Sequence, residues 1–116
     1  MIQLKRVYDE ADETDGYRIL VDRLWPRGIK KAALKMDEWC KVLAPSADLR
    51  KALHSEVIDF RCFSLKYVGE LEQRSDEGQR IAGLARRGTV TLLYAAKESS
   101  QNHAQVLAGW LRGLEA

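Results

Sequence analysis

The sequence predicts an α/β fold: a small parallel or mixed sheet of about three to four strands, packed with helices in a single domain spanning residues 1–116. Three observations carry this. Short apolar, β-branched runs occur near both ends of the chain; the stretches between and after them repeat apolar residues at helical spacing; and the order of strand, helices, strand and helix is that of a sheet crossed by helical connections. At 116 residues there is room for one ordinary core. A composition of 46% hydrophobic and 31% charged residues sets the chain apart from disordered sequences. No apolar run nears the roughly 18 residues of a membrane span.

"IQLKRVY" alternates well enough for a strand at or near a sheet edge, and "DEADETDG" follows as a polar loop. "YRILV" holds the continuous block Ile19, Leu20, Val21, expected where both faces of a strand are covered. It ends in "DRLWPRG", where Pro26 withdraws a backbone donor and Gly28 permits positive φ. "DEWCKVL" at 37–43 reads as a short helix stopped by "APS". Ser46 then fits the N-cap of "ADLRKALH", with Leu49, Leu53 and Val57 facing the core. Phe60, Phe63, Tyr67 and Leu71 mark the inner side of a further helix. "SDEGQRIAGLARRG" reads as another, capped by Ser75 or Asp76 and closed at Gly88. "TVTLLYAA" is the clearest buried strand, and "QNHAQVLAGWLRGL" a last helix with Ser99 or Ser100 as N-cap.

The formal net charge is only +2, and the basic residues cluster between Arg18 and Lys35 after an acidic stretch. Cys40 and Cys62 form no CxxC and read as reduced thiols. "MIQLKRVYDE" lacks a secretory h-region, so the expected compartment is the cytoplasm.

In open α/β sheets ligands gather beyond the carboxyl ends of the strands, where helix N-termini point free N–H groups. Two strand ends qualify. "DRLWPRG" supplies Arg23 and Arg27 as an anion clamp and Trp25 as a wall; "YAAKESSQNHA" supplies Tyr94, Lys97, Asn102 and His103. Ser46, Arg50 and His54 would join from the side, with His103 or His54 as proton carrier. Each has a structural alternative: Asp22 and Arg23 as an ion pair, Trp25 as core, Ser46 as cap, His54 at a helix C-terminus, Tyr67 in the core stripe and Glu70 in an i,i+4 pair with Lys66 or Arg74. No glycine-rich phosphate loop, zinc spacing or G-x-S-x-G elbow occurs, so no metal is indicated, and the sequence leaves any cofactor unknown. The chemistry that fits is recognition of an anionic, phosphate- or carboxylate-bearing small molecule or nucleotide, by a small enzyme or a binding domain. The alternatives are a nucleic-acid-associated module using residues 18–35 and an accessory domain docking a protein partner.

The motifs "DGYRILVDRLWPRG", "LAPS.DLRKALH", "F...Y..EL", "VTLLYAAK" and "NHA.VL" resemble the bacterial family designated domain of unknown function 488, in its short YeaO-like branch. The likeness covers nearly the whole chain and implies a compact bacterial cytoplasmic α/β protein with no assigned activity. Longer members of that family carry a cysteine and a Cys-His-Arg segment where this chain has Tyr94 and "QNHAQ". His103 keeps the matching place, and the thiol and the arginine are absent.

Overall fold

The computed structural model describes residues 1–115. Four parallel strands, β1 (Ile2–Arg6), β2 (Tyr17–Leu20), β3 (Glu38–Trp39) and β4 (Val90–Tyr94), form one sheet in the order β1-β4-β2-β3. The two most apolar strands are therefore interior neighbours: Ile19 stands beside Leu92 and Leu20 beside Leu93, and all of β4 is buried. "IQLKR" is an edge strand, as its alternation predicts.

Period-two alternation splits the apolar residues between two cores. Ile19, Val21, Val90, Leu92 and Tyr94 face the four helices α1 (Ala47–His54), α2 (Phe60–Glu72), α3 (Ser75–Arg87) and α4 (His103–Glu115). Leu20 and Leu93 face the other way, and there the 24–36 connection, not one of the four α-helices described, covers them with Trp25, Ile29, Leu34 and Met36. This explains the continuous apolar block in β2: helices cover one side and an irregular segment the other.

Several expectations for the helical stretches need correction. Residues 37–43 do not form a helix. Glu38 and Trp39 pair with β2 as a two-residue strand, and Lys41–Leu43 make a single 3-10 turn. α1 stops at His54, and the chain turns through Glu56 at φ 61°, so Val57 is 75% exposed rather than inward. Asp59 caps α2 by accepting the Cys62 amide at 2.8 Å. Ser75 lies inside α3, whose capping position is Arg74 without a side-chain bond. The start of α4 is capped by Asn102, whose Oδ1 accepts the Gln105 amide at 3.0 Å, and not by Ser99 or Ser100.

Candidate functional site

Parallel pairing brings the carboxyl ends of β2 and β4 to the same edge of the sheet. The Val21 amide extends the ladder by donating to the Leu93 carbonyl at 3.0 Å. One residue later the side chain of Asp22 takes over, its Oδ2 accepting the Ala95 amide at 3.0 Å. The carboxylate therefore fastens together two strand ends that are already diverging.

The second carboxylate oxygen faces α4. His103 Nε2 lies 3.1 Å from Asp22 Oδ1 and 3.2 Å from the Val21 carbonyl oxygen. Both neighbours are acceptors, so Nε2 carries a proton and Nδ1 is the nitrogen left over. The angle directs this N–H to Val21, leaving Asp22 Oδ1 buried without a hydrogen bond of its own. Asp22 and His103 are equally shielded, each side chain 16% exposed.

Arg23 forms no ion pair with Asp22, and its Nε donates to the Pro45 carbonyl at 3.1 Å. Its terminal guanidinium nitrogens have no protein partner among the described residues, and neither has the guanidinium of Arg50. Asp22, Arg23, Leu24, Arg50, His54 and His103 enclose a hollow of about 220 Å³. A second hollow of about 270 Å³ adjoins it, sharing Pro45, Arg50, His54, Ala96 and His103 and adding Leu53, Phe63, Lys97 and Asn102. The tip of β2 and the start of α4 thus open onto one cleft.

Trp25, Arg27 and Tyr94, also singled out by the sequence, are placed elsewhere, and Asn102 is occupied. Trp25 packs edge-on against Trp39, with ring centroids 5.3 Å apart, on the sheet face opposite the helices. Arg27 is exposed, and its carbonyl accepts the Tyr8 hydroxyl at 2.9 Å. Tyr94 is a core residue, 4% exposed. Asn102 borders the second hollow, but its side chain is occupied with capping and with donating to the Glu98 carbonyl at 2.6 Å.

Ser46 caps α1 as expected, accepting the Leu49 amide at 3.2 Å. It also binds a residue that the sequence assigns elsewhere. Glu70 accepts the Ser46 amide at 2.8 Å and its hydroxyl at 2.6 Å, in place of an i,i+4 pair along α2. Ser46 and Glu70 border a separate, open hollow of about 450 Å³, which Arg23 also touches. The Tyr67 hydroxyl donates to the Leu43 carbonyl inside the core, and burial pushes its pKa well up.

The basic run is smaller than its sequence suggests. Arg18 is 6% exposed and is consumed by Asp15 and the Lys35 carbonyl. Beside the edge strand β3, Glu38, Cys40 and Glu77 bring ligand atoms within 4.8 Å of one another. The guanidinium of Arg80 bridges both carboxylates there and fills the place of a cation. Burial raises the Cys40 thiol to about 11, which removes it as a nucleophile at neutral pH.

The family model described as "Inactive DUF488-N3 subclade" matches residues 1–115. The chain belongs to that family. It is 59% identical over 113 residues to the uncharacterized protein YeaO of Escherichia coli (strain K12), covering 97% of this chain and 98% of that protein. It is also 38% identical over 112 residues to the uncharacterized proteins Rv3073c of Mycobacterium tuberculosis (strain ATCC 25618 / H37Rv) and Mb3100c of Mycobacterium bovis, covering 97% of this chain and 94% of each. No solved structure matches it. Within this family member, no described helix is long and apolar enough to cross a membrane.

Proposed function

We propose that the protein binds a small phosphate- or carboxylate-bearing molecule in the cleft between the tip of β2, α1 and the start of α4, and that it does so without covalent chemistry. One observation carries the reading: Arg23 and Arg50 line a single hollow with two histidines, and neither guanidinium has a carboxylate partner among the described residues. Arginine left unpaired in a concave site is a ready donor to a planar or tetrahedral anion.

What supports a non-covalent site is that its lining offers no hydroxyl or thiol nucleophile. Among the residues bordering the two adjoining hollows there is no serine, threonine or cysteine. The word "inactive" in the description of the subclade agrees with such a lining. Calorimetric titration with inorganic phosphate is expected to show saturable binding that weakens about tenfold in each of Arg23→Ala and Arg50→Ala, the size of one lost charge-assisted contact. No binding, or binding unchanged in both variants, overturns the reading.

The imidazole of His103, fixed between Val21 and Asp22, favours a second reading as an enzyme in which this residue carries a proton. Its test is product release from a panel of phosphate esters, abolished in His103→Ala. Binding without turnover rules against it.

A further inference from the structure

We infer that the occupant of the cleft is an organic anion, with its charged group in the first hollow and an apolar, ring-sized body in the second; this rests on the binding function proposed above and specifies its ligand. The two chambers differ in character. The first is bordered by Asp22, Arg23, Arg50 and both histidines, and it offers the charge. The second keeps Arg50, the histidines, Pro45 and Ala96 along the shared boundary, while Leu53 and Phe63 add apolar wall that the first lacks.

Size points the same way. At about 220 and about 270 Å³ each chamber alone falls below the roughly 300–1,000 Å³ of small-molecule sites, and the two together fall within it. An inorganic anion occupies only the first chamber and leaves the apolar walls in water. A ligand with an apolar body removes that surface from water as well, and the gain grows with the area covered. Lys97, exposed at its edge, is the one cation that the second chamber adds, and two other polar groups on its rim are already occupied. Asn102 is spent on Gln105 and the Glu98 carbonyl, and the Glu98 carboxylate on Ser100.

The test compares inorganic phosphate with phenyl phosphate, by titration on the full chain, in the wild-type protein and in Gln101→Trp. Gln101 is exposed and borders the second chamber alone, so an indole there fills the chamber without entering the core. The expected result is phenyl phosphate binding about tenfold or more tightly than phosphate to the wild type, with the preference falling to about twofold in the variant while phosphate affinity holds. Equal affinity for both ligands in the wild type overturns the inference and leaves the anion site standing. A preference that survives in Gln101→Trp overturns it as well, because the apolar body then lies elsewhere. Binding of neither ligand removes the anion site and the inference together.

Discussion

Asp22 holds the site together through three groups: its Oδ2 accepts the Ala95 amide, its Oδ1 faces His103, and its carbonyl accepts the Trp39 indole N–H at 2.7 Å. Replacing it with asparagine keeps the shape and changes the donor pattern. If the amide oxygen takes the Ala95 N–H, the new NH₂ meets the protonated Nε2 of His103, donor against donor. Asp22→Asn is therefore expected to lose about 1–3 kcal/mol in urea unfolding, because the attraction of a carboxylate oxygen for an N–H 3.1 Å away gives way to two buried donors facing each other. A loss below about 0.5 kcal/mol would mean that the pairing with His103 contributes nothing to the fold. Asp22 and His103 were each visible in the sequence as strand-end and helix-start residues, and their meeting follows from parallel pairing of β2 and β4. The bond between Glu70 and Ser46 was not visible. A glutamate on a helix has ready partners three and four residues away, and nothing local says that it reaches across to the next helix.

The elements owe their placement to how closely they approach. α3 meets α4 at Gly78, where an added Cβ would come within 2.6 Å of Trp110 Cζ3 and 2.9 Å of Leu114 Cδ1. Gly83 on the same helix has nothing nearer than Arg86 Nη1 at 3.9 Å. Alanine favours a helix over glycine by about 1 kcal/mol at both positions, whereas overpacking costs about 1–3 kcal/mol at the first only. Thermal unfolding is accordingly expected to show Gly78→Ala lowering stability and Gly83→Ala raising it; changes of the same sign would contradict the packing described. The amphipathic helices α2, α3 and α4 and the two buried strands were legible because their periodicity is long and regular. "DEWCKVL" misled because a two-residue strand has no period to read, and an acidic start resembles a helix terminus. Trp25 was ambiguous for a related reason. The sheet face it covers is protected by a loop, and no periodic pattern marks a loop as part of a core.

For the molecule as a whole, charge governs stability in acid. Burial raises the pKa of Asp15, but hydrogen bonds from Lys5, the Asp12 backbone and Arg18 outweigh it and hold the carboxyl below its ordinary value. The hydrogen bond from Arg80 similarly lowers Glu38. A carboxyl whose folded pKa is depressed stabilises the fold in full above the unfolded value and loses that contribution as pH falls through the folded one. The unfolding midpoint is therefore expected to stay level from pH 7 to about 5 and to drop below about pH 4. Asp15→Asn should lower it at neutral pH and reduce the drop in acid. Parallel curves for the two proteins would show that Asp15 is not a source of the linkage. The same balance of charges sets the cleft apart from the surface: Arg18, Arg80 and Lys5 are consumed in the fold, while Arg23 and Arg50 are left facing a hollow. The most direct measurement of whether that hollow is a binding site is an amide-resolved NMR titration with phenyl phosphate. The account predicts saturable shifts confined to residues 22–24, 50–54, 95–98 and 101–103. Shifts centred instead on residues 27–35, or none at all, would contradict it.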